Sequence, residues 1–202
     1  MLLYWAAVEW QAHTMPSTRR LSTKAIRAGA WALTLLLIGG CTGVPSGIEP
    51  VDDFEVERYA GVWYEIMRLD HRFERNLVDV TAEYQLREDG VVTVVNRGFD
   101  TRRCSWQSIE GTAKFRGAAD VGSLAVTFFW PIRGGYHVFA LDRDDYEWAM
   151  VSGPTRGYLW ILARDPGLDE AIRLRLMDKA ARLGFAAEDL IVVEHGAASC
   201  NP

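Results

Sequence analysis

The chain has 202 residues, of which 49% are hydrophobic and 24% charged, and its formal net charge is −5. That composition excludes wholesale disorder, and the length leaves room for one domain once a targeting segment is removed. Twenty-two Lys and Arg against 27 Asp and Glu, with no basic cluster in the body of the chain, exclude a nucleic-acid partner. Three cysteines are too few for a disulfide-dense miniature scaffold or a four-cysteine zinc site.

Arg19, Arg20, Lys24 and Arg27 precede an apolar run from Ala28 to Ile38, which ends in Gly39-Gly40-Cys41. A basic start, a short greasy middle and small residues at the cut have the layout of an export signal. The run is shorter than the ~20 apolar residues that a permanent membrane helix needs. Ile38-Gly39-Gly40-Cys41 resembles the lipobox of bacterial lipoproteins, in which the cysteine is diacylated and becomes the new N-terminus. Two acyl chains hold a soluble domain stably on a leaflet. Thr42 stands where an Asp would signal inner-membrane retention, so the resemblance implies an outer-membrane, periplasm-facing lipoprotein. Met1 and Met15 both remain as starts, Met15 suiting the signal better. Cleavage before Cys41 leaves 18 basic and 26 acidic side chains, a net −8, counted from the full sequence after removing four basic residues and Glu9. Three segments follow: 1–40 as extension and signal, 41–53 as a flexible lipidated tether rich in Gly and Pro, and 54–202 as the folded domain.

From residue 54 the chain reads as short strands between turn signals. The expected strands are Gly61–Leu69, Val80–Leu86, Val91–Phe99, Trp106–Phe115, Ser123–Trp130, Tyr136–Leu141, Trp148–Ser152 and Tyr158–Ala163. Glu88-Asp89-Gly90 marks one hairpin turn. Short links without crossover helices favour an antiparallel meander. Asp165-Pro166-Gly167 breaks the last of these strands. Asp169 and Glu170 then open an amphipathic helix carrying Ile172, Leu176, Ala180 and Leu183, which Gly184 stops. Leu190–Val193 supplies a final short strand, after which the chain is expected to fray. The fold class is therefore all-β: an eight-stranded antiparallel up-and-down barrel with one C-terminal helix packed outside. Such a barrel encloses one small ligand, and a β-sandwich is the alternative.

Three motifs carry a family resemblance. Gly61-Val62-Trp63-Tyr64-Glu65 resembles the Gly-x-Trp signature of lipocalins. Asp142-Arg143-Asp144-Asp145-Tyr146 is similar to the second lipocalin motif, with one extra Asp. Tyr158-Leu159-Trp160-Ile161-Leu162-Ala163-Arg164 resembles the third. His71-Arg72-Phe73-Glu74-Arg75 and Val95-Asn96-Arg97-Gly98-Phe99 bring the chain towards the bacterial outer-membrane lipoproteins of that family, with kinship to apolipoprotein D. The resemblance implies that Trp63 and Arg164 meet at the closed end of the barrel, with Gly61 beside them. A guanidinium over an indole there is worth about 1–2 kcal/mol. It also implies that Trp160 lines the calyx. Alternation then turns Tyr84 and Tyr136 inward, and Glu65 and Arg97 are the polar residues expected near a head group; plain core packing is the competing account of each aromatic. Cys104 and Cys200 occupy places that the family ties by a disulfide, with two unpaired thiols as the alternative.

No constellation for catalysis emerges. His71, His137 and His195 lack the i, i+3 or i+4 spacing of metal ligands, and neither a nucleophile elbow nor a phosphate loop is present. Asp144 and Asp145 read as a solvated turn pair. The expectation is a carrier without cofactor or metal, not an enzyme. As the resemblance implies, it would be anchored by lipid and bind fatty acids or lysophospholipids in envelope maintenance, and a homodimer is compatible with that reading. Two other classes stay open: a calyx enzyme acting on a small lipid, and a structural envelope lipoprotein whose barrel is filled by its own side chains.

Overall fold

The computed structural model of the protein describes residues 42–200. The export signal, the lipobox and Cys41 lie outside the described residues. A single turn of helix, α1 (Val56–Tyr59), precedes eight long strands. These are β1 (Gly61–Arg68), β2 (Leu77–Leu86), β3 (Val92–Asp100), β4 (Ser105–Phe115), β5 (Ser123–Phe129), β6 (Ile132–Leu141), β7 (Trp148–Ser152) and β8 (Leu159–Ala163). Helix α2 (Glu170–Arg182) and a two-residue strand β9 (Ile191–Val192) follow. Every pairing is antiparallel, each strand from β1 to β7 pairs with its successor, and β1 closes the ring by also bonding β8. Closure settles barrel against sandwich and leaves β9 as a short ninth strand on β1.

The up-and-down course sorts the connections to two ends. Residues 69–76, 101–104, 130–131 and 153–158 rim the open end. Residues 87–91, 116–122 and 142–147 lie at the other, which α1 closes by burying Val56 and Tyr59 beneath the barrel. Two apolar layers result. The inner one holds Trp63, Tyr84, Val94, Leu124, Val151 and Leu162. The outer one holds Ile66, Met67, Met150 and Ile161 against Leu176 and Ala180 of α2, whose N-cap Asp169 accepts from the amides of Ala171 and Ile172.

Two expectations need correction. Residues 42–53 are packed on the barrel. Val51 bonds through its amide to the Val138 carbonyl at 2.8 Å and through its carbonyl to the Gly122 amide at 2.8 Å, and Ile48 and Val51 are buried. Gly and Pro density misled there because the few apolar residues between them find a groove to fill. The chain beyond His195 is also held. The Asp79 carboxylate accepts from the amides of Gly196 and Ala197, its own amide donates to the Glu194 carbonyl, and Cys104 and Cys200 are disulfide-bonded with Cα atoms 5.6 Å apart.

Candidate functional site

The three motifs converge on the closed end. Gly61 sits at φ +94°, a conformation that suits glycine, and a Cβ there would lie 3.4 Å from Arg164 Nη1. The Arg164 guanidinium lies 4.0 Å over the Trp63 ring and donates through its two Nη atoms to the Val62, Arg58 and Ala60 carbonyls at 2.9, 2.7 and 2.9 Å, and through Nε to the Tyr146 carbonyl at 3.4 Å. Trp63 Nε1 donates to the Tyr59 carbonyl at 2.8 Å. Arg58 covers Tyr146 of the second motif, whose hydroxyl accepts from the Glu55 amide. These groups tie α1, β1, the 142–147 turn and the end of β8 into one plug.

Above the plug lies a cluster of tyrosines. Tyr136 OH is 2.6 Å from Tyr59 OH and 2.8 Å from Tyr84 OH, and burial raises all three phenols above their ordinary range. The cavity among them, lined by Phe54, Val92, Ala113 and Leu124, measures about 10 Å³. That admits one water and no acyl chain.

Nearer the open end, the interior turns polar. Period-two alternation from Trp63 would send Met67 inward and Arg68 outward. A bulge between Glu65 and Met67 reverses this, so Glu65 and Arg68 both face in while Ile66 and Met67 join the outer layer. Arg68 Nη1 donates to Glu65 Oε1 at 2.7 Å and Arg68 Nη2 to the Glu74 carbonyl at 2.8 Å. Trp160 Nε1 donates to Glu74 Oε2 at 3.1 Å. His71 Nε2 lies 3.1 Å from the same oxygen, yet neither ring nitrogen makes a hydrogen bond of acceptable geometry. Burial and the nearby Glu74 charge, opposed by Arg68, push the Glu65 carboxyl up to about 8. Burial also raises Glu74, while burial and the Arg68 cation lower His71 to about 4. Near neutral pH the Glu65 carboxyl thus keeps its proton beside the Arg68 cation, and His71 is neutral.

Trp160, Tyr84, Tyr136 and Glu65 therefore all face the interior. Trp160 and Glu65 lie in the polar cluster, and the two tyrosines lie below it. Arg97 does not. Val92 and Val94 are inward, which fixes Asn96 inward and Arg97 outward, and the Arg97 guanidinium stacks at 4.1 Å on the exposed Trp106. The expectation failed because it followed a motif rather than the strand's phase. Sequence reasoning missed Arg68 and Tyr59 altogether, since the bulge and the single turn of α1 leave no period to read. Among the described residues, no group of three His, Cys, Asp or Glu side chains is placed to hold a metal ion.

A closed eight-stranded antiparallel barrel, plugged at one end and wrapped by a single helix, defines a lipocalin-type calyx. Residues 54–195 match the lipocalin-like domain family, and the chain belongs to the lipocalins. It is 44% identical over 169 residues to the outer membrane lipoprotein Blc of Vibrio cholerae, covering 84% of this chain and 99% of that one. To the Blc of Citrobacter freundii it is 47% identical over 150 residues, covering 74% and 84%. Bovine apolipoprotein D is more distant, at 34% over 151 residues, 71% of this chain and 78% of that one. Among solved structures, insecticyanin of Manduca sexta shares the fold with a TM-score of 0.62 at 21% identity, covering 79% of this chain and 90% of that one. The outer-membrane lipoproteins it resembles over most of its length place this chain at the outer membrane as a lipoprotein. No helix among the described residues is long and apolar enough to cross a membrane.

Proposed function

We propose that the protein is a lipid-anchored carrier that takes an amphipathic acyl ligand, a fatty acid or a lysophospholipid, through the open end of the barrel. Acylation of Cys41 supplies the anchor, and the calyx supplies the carrier function. The observation that carries the reading is the interior around Trp160. Phe128, Tyr136 and Trp160 face inward yet keep part of their surface accessible, while buried His71 and Asn96 Oδ1 lack hydrogen-bond partners. Apolar walls with unpaired polar atoms near the mouth suit a chain with a polar head. Trp160, Tyr84 and Tyr136 are the wall residues of this reading and Glu65 belongs to its polar end. Burial of an acyl chain contributes about 0.8 kcal/mol per CH₂ before ordering costs.

The nearly filled lower barrel favours a second reading, a structural lipoprotein whose interior is packed by its own side chains. Lipid extraction and native mass spectrometry of the chain from residue 42 separate the two, followed by titration of a fatty acid and a lysophospholipid against Trp fluorescence. A co-purified or saturable acyl lipid, weakened by Trp160→Ala, supports the carrier. A folded domain indifferent to both lipids overturns it in favour of the filled barrel.

A further inference from the structure

The tip between β5 and β6 is unlike the rest of the surface. Phe129, Trp130 and Ile132 are 68%, 84% and 71% exposed, three large apolar side chains within four residues at the open end. Isolated exposed apolar residues need no explanation, but a contiguous group marks a contact. Two independent observations say with what.

The first is where the anchored end of the chain emerges. A Cβ on Gly135 would lie 3.2 Å from the backbone of Thr42, and the Gly43 carbonyl accepts from His137 Nε2 at 2.9 Å. Gly135 is three residues from Ile132 on β6, roughly 10 Å along the strand. Thr42 follows Cys41 directly in the sequence, so an acyl anchor on that cysteine would be tethered to the chain at this position.

The second is charge. Residues 69–76, 101–104, 130–133 and 153–158, which form the open end, carry six arginines against Asp70 and Glu74. Arg72, Arg102 and Arg133 are exposed there. The closed-end connections, 87–91, 116–122 and 142–147, carry three arginines against seven carboxylates. The sequence shows no basic cluster because the residues are scattered along it. The barrel gathers them onto one rim, in a chain whose processed form is acidic.

We propose that the mouth of the barrel faces the membrane, with Phe129, Trp130 and Ile132 inserted in the lipid interface beside the anchor and the arginine rim on anionic head groups. Aromatic side chains favour that interface, and exposed arginines are attracted to an anionic leaflet. The calyx then opens towards lipid instead of towards water. This rests on acylation of Cys41, and it is independent of what the calyx binds.

The test uses the full acylated chain, its acyl chains checked by intact mass, reconstituted in vesicles of phosphatidylethanolamine and phosphatidylglycerol with brominated acyl chains. Bromine quenches an indole only at close range, so the part of the loss that depends on Trp130 reports entry of the tip into the bilayer. The expected result is a lipid-dependent loss of Trp emission, at least half of which disappears in Trp130→Phe. Replacing Phe129 and Ile132 by Ser lowers the quenching of Trp130, and Trp160→Ala leaves the Trp130-dependent part unchanged, which separates this proposal from the carrier reading. Equal quenching in wild type and Trp130→Phe overturns it. So does a chain that carries no acyl group, or a tip shielded from bromine by a dimer that the Phe129 and Ile132 changes dissolve.

Discussion

Glu65 and Arg68, three residues apart on one strand, both point into the barrel and meet at 2.7 Å. Only the bulge between Glu65 and Met67 allows this, because without it the two would lie on opposite faces. Each side chain is almost wholly buried, so the pair stands or falls together.

Arg68→Met should therefore destabilise the fold by about 3–5 kcal/mol, because it leaves two buried carboxyls without their cation. Glu65→Gln should cost less, since an amide oxygen still accepts from Arg68 and the remaining charge balance is unaltered. Urea denaturation of the two variants checks the order. Equal losses would show that Arg68 depends on the Glu65 carboxyl itself and that an amide oxygen cannot replace it.

The same cluster dictates a pH dependence. Glu65, with its carboxyl raised from 4.5 to about 8, keeps its proton longer in the folded chain than in the unfolded one. Its contribution is full at low pH and is lost as pH rises from about 4.5 to 8. His71, lowered from 6.5 to about 4, works the other way: its contribution is present above 6.5 and is lost as pH falls towards 4. Above pH 6.5 His71 is neutral in both states, and the raised carboxyls, Glu65 foremost, set the trend. Stability should then decline between pH 6.5 and 8 by up to about 1.4 kcal/mol per unit, and Glu65→Gln should flatten that decline. Thermal melts across this range decide it, and a slope surviving in Glu65→Gln would assign the proton elsewhere.

What the sequence revealed, and what it hid, divides along physical lines. Strand positions were legible because alternation and turn residues are local signals: the β7 bounds agree in full and most others within two or three residues. The Trp63–Arg164 plug was legible because three motifs pointed to it. Tyr84 and Tyr136 were placed by phase, correctly. The bulge that turns Arg68 inward has no local signature, and Arg97 was misplaced because its motif says nothing about which face a residue takes. The docking of residues 42–53 depends on a groove made by Gly122 and Val138, some seventy residues or more away.

The plug predicts a specific cost for a conservative change. Arg164→Lys keeps the charge, but an ammonium cannot lie flat on the Trp63 indole while reaching the Val62, Arg58 and Ala60 carbonyls together. A loss of about 2–3 kcal/mol is expected, from the stacking and from carbonyls left without a charged donor. The closed end is distant from the mouth, so ligand titration of the folded variant should match wild type. A loss of stability below about 0.5 kcal/mol would mean that the hydrogen bonds are replaced by water.

The C-terminal tail is fastened twice, and the two fastenings should depend on each other. The Cys104–Cys200 bond spans a sequence separation of 96 residues, for which chain entropy predicts up to about 4–5 kcal/mol. Inside that loop the Asp79 carboxylate holds the amides of Gly196 and Ala197. While the disulfide is intact, the tail cannot drift far from Asp79, and Asp79→Ala should cost little. In Cys104→Ser with Cys200→Ser the same change should free residues beyond His195, so its effect grows. A double-mutant comparison of unfolding energies, with hydrogen exchange at Gly196 and Ala197, measures this coupling. Strict additivity, with exchange at those two amides indifferent to the disulfide, would show that Asp79 holds the tail without help.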